Sequence, residues 1–289
     1  MSCGELVEIG GSFRVPDVMI KSGAVLREVG TTNRTRVTDY ERALSDKTRL
    51  LLRVHRSNFA IIGFTEQPTL DELVALGRKH NVPVMEDLGG GALLELRSFG
   101  INESSLLDCL RAGVDIVTYS GDKMLGGPQA GLLSGRDDVI KRVRSNPLFR
   151  ALRVDKLTYA ALEATLMEYV RQNLDAIPFA RMMRSSAENI RSRAEGVRSQ
   201  LQEVTPLHVQ VISRQSLVGG GSAPTSMLPT FLLAVSSDQF SADVLARCLR
   251  RGDPPVIGRV EENRLLLDLR TVFETEEHCI VQALQGCAG

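Results

Sequence analysis

The chain has 289 residues, about the length of two domains, and its 35 basic and 35 acidic residues leave no formal net charge. Hydrophobic residues make up 43% and charged residues 24%, which excludes a disordered or fibrous chain. A balanced charge is not typical of a nucleic-acid-binding domain, no apolar run approaches the ~18 residues of a membrane span, and the first residues lack the layout of a signal peptide. We therefore expect a soluble, cytoplasmic protein of two globular domains.

The first 150 residues alternate short apolar runs with helical patterns. In chain order, the pattern predicts a strand at 49–55, a helix at 69–80, a strand at 82–87, a helix at 104–112, a strand at 115–120 and a further apolar run at 130–134. Such alternation with short connections is typical of a mostly parallel sheet with helices on both faces. We interpret residues 1–150 as one α/β domain.

The second half has a different character. Residues 155–201 form a nearly continuous helical pattern, broken near 175–178. Beyond it we expect strands at 208–212, 230–235 and 264–269, and helices at 241–250 and 274–284. Pro147 indicates a domain boundary close by. Residues 151–289 are therefore interpreted as a long connecting helix and a small α+β domain.

The cysteines and histidines are too dispersed to suggest a metal site. No Cys-x-x-Cys pair and no zinc-like spacing occurs among them. We expect all five cysteines to be reduced thiols, as is usual in the cytosol. They are Cys3, Cys109, Cys248, Cys279 and Cys287.

The most informative segment is the glycine-rich run 120–131, which directly follows a predicted strand. It contains Lys123, one of only six lysines in the chain. Ligands bind at the carboxyl ends of strands in open α/β sheets, so this lysine could contact a phosphate, act as a nucleophile or simply cap a loop. The segment is not a P-loop, because Gly127 and Pro128 stand where a P-loop needs Lys and Ser or Thr.

Asp87 ends the preceding predicted strand and lies 36 residues before Lys123. That spacing allows one helix and one strand, so both side chains would reach the same edge of neighbouring parallel strands. A pyridoxal phosphate (PLP) site needs such a pair, because the lysine binds the aldehyde as an imine and the carboxylate keeps the ring nitrogen protonated. A plain ion pair at a strand edge is the alternative interpretation.

Seven segments of the chain form a pattern that is more specific than any single motif. They are 5–14, 29–34, 54–58, 62–65, 120–131, 150–156 and 254–259. Together they closely resemble the bacterial selenocysteine synthase family, the L-seryl-tRNA(Sec) selenium transferases, essentially from end to end, and the Ser-Gly-Asp-Lys sequence at 120–123 is the most specific part. The resemblance implies an aspartate-aminotransferase-like α/β fold (PLP-dependent transferase fold type I). It also implies conversion of L-seryl-tRNA(Sec) to L-selenocysteinyl-tRNA(Sec) with selenophosphate as the selenium donor.

The resemblance also implies roles for individual residues. Lys123 and Asp122 would be catalytic. Arg150 and Arg153 would bind selenophosphate; the alternative is that these two arginines are simply charges on an exposed helix face. No metal ligand is implied. The cofactor-binding residues would be Lys123, Asp87, Ser120, His55 and Asn58.

Members of the family also have an amino-terminal region that engages the tRNA, followed by an early part of the cofactor domain. No segment of this chain corresponds to either region. We therefore expect a truncated large domain, and no turnover of seryl-tRNA(Sec) by the chain alone. The expected partners are seryl-tRNA(Sec), selenophosphate and further copies in a dimer-based ring, but neither DNA nor a membrane. Two alternatives stay open: a related PLP-dependent lyase or aminotransferase acting on a small amino compound, and a non-catalytic remnant.

Overall fold

The computed structural model describes residues 1–219 and 221–288, which form two compact units. The first comprises Met1–Ala180 and Val218–Ser226, and the second Arg181–Leu217 and Met227–Gly289. The boundary expected near residue 150 thus lies before the division in the structure. The reason is local: the first unit retains the helix Lys156–Val170, in which the Tyr169 hydroxyl donates to the carbonyl of Leu125 (2.9 Å).

The described strands form one two-stranded and two four-stranded sheets. β1 pairs with β2, the order β3-β4-β5-β6 makes the sheet of the first unit, and the other sheet has the order β7-β8-β10-β9. The strands are β1 (Glu8–Gly10), β2 (Phe13–Arg14), β3 (Leu51–Val54), β4 (Val84–Gly89), β5 (Ile116–Ser120), β6 (Gly131–Gly135), β7 (Leu207–Gly219), β8 (Ala223–Ser237), β9 (Arg259–Glu261) and β10 (Arg264–Asp268).

The helices connect and cover these strands. They are α1 (Val15–Lys21), α2 (Val37–Ala43), α3 (Leu70–His80), α4 (Leu106–Ala112), α5 (Asp137–Ser145), α6 (Pro147–Leu152), α7 (Lys156–Val170), α8 (Pro178–Arg184), α9 (Ala187–Gln200), α10 (Ala242–Arg251) and α11 (Glu277–Ala288). None of these described helices has the length and apolarity needed to cross a membrane.

The predicted βαβ pattern is confirmed in the sheet of the first unit. β3, β4 and β5 are parallel neighbours, and β6 runs antiparallel to β5. α3 begins at a capping box in which Thr69 Oγ1 accepts from the backbone N–H of Glu72 (3.2 Å). This cap fixes the start of the helix between β3 and β4, and the ends of these two strands pair at Val54 and Asp87.

The core of this sheet is apolar, and a large cavity adjoins it. Leu51, Val84 and Val117 pack with buried residues of α3 and α4. A cavity of about 1440 Å³ is lined by β4–β6 residues together with α5, α6 and α7, and it extends to Asp87 and Ser120. The carboxyl ends of β4 and β5 are therefore reached by a volume large enough for a cofactor.

The second unit is a separate α+β body. β10 pairs antiparallel with β8 and β9, and α9, α10 and α11 contribute to its apolar core. The expectation of five reduced thiols is wrong here, because Cys248 in α10 and Cys287 in α11 form a disulfide. Their Cα atoms are 5.9 Å apart, within the span that a disulfide bridges.

Candidate active site

Asp87 lies near the carboxyl end of β4 and is held by the neighbouring strands. Its register partner is Thr118 in β5, whose hydroxyl donates to Asp87 Oδ1 (2.9 Å). The backbone N–H of His55, just after β3, donates to the carbonyl of Asp87 (2.9 Å). These contacts fix the orientation of the carboxylate at the edge where the cavity ends.

Lys123 lies in the loop after β5, and backbone hydrogen bonds hold that loop against the end of β4. The N–H of Met124 donates to the carbonyl of Gly90 (3.0 Å), and that of Gly121 to the carbonyl of Ala130 (2.9 Å). The N–H of Gly126 closes a turn on the carbonyl of Lys123 itself (2.9 Å). The lysine is thus placed beside the strand that carries the aspartate.

Gly91 allows this close approach of the two strand ends. A Cβ atom at this position would lie only 2.7 Å from the carbonyl oxygen of Ser120, and the residue has φ +73°, a region that favours glycine. Ser120 itself is half-buried and lines the cavity together with Asp87 and Thr118. The glycine-rich sequence after β4 therefore has a direct role in forming the site.

His55, a predicted site residue, contacts two groups that were not predicted from the sequence. Its Nε2 is 3.4 Å from both the carbonyl oxygen of Ser222 and the Oε2 of Glu103. Burial lowers the pKa of His55, while the charges of Asp87 and Lys123 raise and lower it respectively. Burial also raises the pKa of Glu103. The lowered pKa of His55 favours the neutral imidazole, so its contact with Glu103 is a polar one rather than an ion pair.

The segment after β7 also reaches the lysine. The N–H of Gly221 donates to the carbonyl of Ser57 (2.7 Å), and a Cβ atom on Gly221 would lie 3.8 Å from Lys123 Nζ. Ser57 is buried, in keeping with this backbone contact. These contacts all lie within the first unit.

The remaining predicted residues are placed less centrally. Arg150, on α6, and Arg153 are both exposed, and of the two Arg153 lines the cavity. Asp122 is exposed in the lysine loop. Asn58 donates from Nδ2 to the carbonyl of Glu8 (2.8 Å), and its buried Oδ1 finds no hydrogen-bond partner among the described residues.

Beneath the site, on the strand position next to Asp87, lies a buried cluster of charged residues. Glu86 is 2% exposed, and its Oε2 lies 3.7 Å from the guanidinium of Arg53 without a hydrogen bond. The buried Glu5 accepts from the N–H of Val54 (3.1 Å). Burial raises the pKa of Glu86 to about 7, and Glu5 adds to the effect while Arg53 opposes it. Burial outweighs the arginine because the ion pair is long and unsupported by hydrogen bonds.

Sequence reasoning missed Thr118, Glu103 and Gly221. Thr118 could have been found, because β4 and β5 were predicted as neighbours and a hydroxyl two residues before Ser120 shares its side of the strand. Glu103 lies in a connection without regular structure, and Gly221 is more than 90 residues from Lys123 in the chain, so no local pattern marked either.

The donor set fits PLP. A lysine amine, a carboxylate that accepts from a hydroxyl, and a serine that lines the cavity lie at or just beyond the carboxyl ends of β4 and β5, and PLP sites use these kinds of group. Within the described residues there is no group of three or more His, Cys, Asp or Glu that could hold a metal ion. Fold and site together define an α/β protein of PLP-dependent transferase fold type I, as predicted.

The comparisons give the family. The chain belongs to the L-seryl-tRNA selenium transferase family (SelA), whose model matches residues 1–273. It is 46% identical to the L-seryl-tRNA(Sec) selenium transferase of Aquifex aeolicus over 99% of this chain, and 49% identical to that of Geobacter sulfurreducens over 100%. It spans 64% and 63% of the length of these relatives. A structure of D-glucosaminate-6-phosphate ammonia-lyase is similar in fold, with a TM-score of 0.63 at 21% identity, over 99% of this chain and 69% of that one.

Proposed function

We propose that the chain carries the catalytic part of a PLP-dependent L-seryl-tRNA(Sec) selenium transferase, which converts L-seryl-tRNA(Sec) to L-selenocysteinyl-tRNA(Sec) with selenophosphate. The observation that carries the proposal is the meeting of Asp87 and the Lys123 loop at the carboxyl ends of the parallel neighbours β4 and β5. Family membership then selects this reaction among those that a lysine–aspartate pair can serve.

Lys123 and Asp87 have complementary roles in this proposal. Lys123 is the residue that would bind the cofactor's aldehyde, and its free amine would take the proton from the seryl Cα and return one at the end. Asp87, oriented by Thr118, would face the ring nitrogen and favour its protonated form. When bound, PLP supplies an electron-accepting ring that stabilises negative charge at Cα. In the overall exchange, selenium would replace the seryl hydroxyl at Cβ: the hydroxyl would leave as water, and water would cleave the Se–P bond of selenophosphate to release inorganic phosphate.

The other predicted residues would hold the cofactor from its remaining sides. Ser120, which lines the cavity, is assigned to the phosphate. His55 and Asn58 are assigned to the ring and its hydroxyl, since both follow β3 next to the end of β4. Asp122, exposed beside Lys123, is assigned a catalytic role by the family motif.

Arg150 and Arg153 are proposed to bind selenophosphate. A guanidinium presents a planar set of donors that suits a phosphate-like dianion. Arg153 lines the same cavity as Ser120 and Asp87, so an anion held there would share that cavity with the site. Arg150, one helical turn earlier at the end of α6, would complete the anion site from the solvent side.

The partners follow from the same assignment. We infer that seryl-tRNA(Sec) is the macromolecular substrate, that the protein acts in the cytoplasm, and that it assembles into a homo-oligomer built from dimers. The regions of the relatives that this chain does not span would contribute to tRNA binding, because the chain's balanced charge provides little net attraction for RNA phosphates.

A chimera tests the proposed function directly. This chain would replace the matching region of the Aquifex aeolicus relative, and the purified chimera would be mixed with PLP, seryl-tRNA(Sec) and selenophosphate. We expect selenocysteinyl-tRNA, and none from the Lys123→Ala version. A folded chimera that holds PLP on Lys123 but makes no product would contradict the assignment. Turnover of a small amino compound, with no selenocysteinyl-tRNA formed, would favour the lyase or aminotransferase alternative. Failure of the chimera to bind PLP would favour the alternative of a non-catalytic remnant.

A further inference from the structure

Residues 221–226, here called the hairpin tip, comprise the end of the connection from β7 and the first residues of β8, and they belong to the first unit. Two contacts place the tip at the lysine. The Gly221 N–H donates to the carbonyl of Ser57 (2.7 Å), and a Cβ on Gly221 would approach Lys123 Nζ to 3.8 Å. A Cβ on Gly90, at the end of β4, would lie 3.9 Å from the Cα of Ser222. The tip thus borders both strand ends that form the site.

One side chain contacts the tip from within the site. His55 Nε2 is 3.4 Å from the carbonyl oxygen of Ser222 and 3.4 Å from Glu103 Oε2. Both neighbours accept hydrogen bonds, so the imidazole hydrogen is expected on Nε2, where it can be donated. The charges of Arg53, Asp87 and Lys123 act on the His55 ring, and Glu103 contacts its Nε2. Burial keeps the ring neutral, and a neutral ring with its hydrogen on Nε2 is the form that makes these contacts.

We propose that His55 is a positioning residue that holds the hairpin tip against Lys123, so that the tip forms the wall past which any amine or aldehyde must approach the lysine. Gly221 brings this wall close to the lysine amine, since a Cβ on it would lie 3.8 Å from Nζ. It has φ +82° and no side chain, which leaves the space beside Nζ to a small group. This role adds to the ring contact assigned to His55 above, and it rests on Lys123 being the reactive lysine of the proposed function.

The geometry sets the expected size of the effect. Wild-type Lys123 is bordered by the tip, whereas Lys156, at the start of α7, is exposed. Loss of one ordinary hydrogen bond raises the population of a displaced tip about fivefold. When the tip is displaced, the labelling rate of Lys123 should therefore rise for bulky reagents that cannot pass the closed wall. It should change much less for small reagents.

The test measures the labelling of Lys123 in the free protein with a small reagent, acetic anhydride, and a bulky one, a biotin N-hydroxysuccinimide ester. Peptide mapping gives both rates relative to Lys156. In His55→Ala we expect bulky labelling of Lys123 to rise about fivefold while acetylation stays within about twofold, and His55→Gln, which keeps an N–H donor, should restore the wild-type ratio. An unchanged ratio in His55→Ala, or failure of His55→Gln to restore it, would overturn the proposal.

A glycine pair provides a second, independent variant. Gly221→Ala and Gly219→Ala both place a side chain at positive φ (+82° and +108°), but only at residue 221 does the new Cβ face Lys123, since at 219 it meets no described atom within 4 Å. We expect Gly221→Ala to slow PLP binding to Lys123 at least threefold more than Gly219→Ala, measured by borohydride trapping. If the two substitutions slowed PLP binding equally, the proposal that the hairpin tip forms a wall beside Lys123 would be contradicted. PLP trapping on another lysine in the unmodified protein would instead refute the proposed function.

Discussion

The buried carboxyl of Glu86 offers a quantitative test of the sheet that carries the site. It lies on β4 directly before Asp87, is 2% exposed and has only the distant guanidinium of Arg53 as a counter-ion (3.7 Å). Its pKa is raised from 4.5 to about 7, chiefly by burial. The substitution Glu86→Gln replaces this carboxyl by a neutral group of the same shape.

The magnitude follows from linkage between protonation and folding. The folded state binds the proton more tightly than the unfolded state, so the stability from neutral Glu86 is full below about pH 4.5 and is lost as the pH rises to about 7. At 1.36 kcal/mol per pH unit, the loss amounts to about 3 kcal/mol at pH 8. Glutamine does not titrate, so Glu86→Gln should match the wild type at pH 5 to within about 1 kcal/mol and exceed its free energy of unfolding by about 3 kcal/mol at pH 8.

The assay is urea unfolding followed by circular dichroism at both pH values. Glu163→Gln, on the exposed side of α7, is the matched control and should change little at either pH. If Glu86→Gln were less stable than the wild type at pH 8, the pair with Arg53 would outweigh burial, and the account of this cluster would be refuted.

Further predictions concern the site and the second unit. Thr118→Val removes the donor to Asp87, and we expect turnover of the chimera to fall about tenfold while PLP still binds Lys123; unchanged turnover would show that Thr118 does not orient the carboxylate. Asp87→Asn should keep PLP bound yet lose most of the elimination step, and near-normal kinetics would mean that another group faces the ring nitrogen. In denaturant without reductant, three thiols per chain should react, and reduction should lower the free energy of unfolding by about 4 kcal/mol because Cys248 and Cys287 close a 39-residue separation. If five thiols per chain reacted without reductant, the disulfide between Cys248 and Cys287 would be absent from the protein.

The parts of the fold that could be predicted are those with local causes. The β3-α3-β4 and β4-α4-β5 crossovers were predictable because each combines an apolar strand, a capped helix and a short connection from that helix to the next strand. Parallel neighbours end at one edge, so the meeting of Asp87 with the Lys123 loop followed from the spacing alone. Specific roles for the other site residues came from the family resemblance, and they stay predictions.

The parts that could not be predicted depend on contacts between distant segments. The hairpin tip reaches Lys123 across more than 90 residues, and a run of glycines carries no information about its neighbour. The Cys248–Cys287 pair is formed by packing of α10 against α11, which cysteine spacing does not encode. The helical run expected at 155–201, with its break near 175–178, divides between the two units, and α7 stays with the first unit, where the hydroxyl of Tyr169 donates to the carbonyl of Leu125 in the lysine loop.

The central claim is that Lys123 is the lysine that binds PLP at the edge it shares with Asp87. The most direct measurement is borohydride reduction of the protein incubated with PLP, followed by peptide mapping of all six lysines. We predict a single phosphopyridoxyl label on Lys123, which is lost in Lys123→Ala. A label on any of the other five lysines, with Lys123 unmodified, would contradict the account.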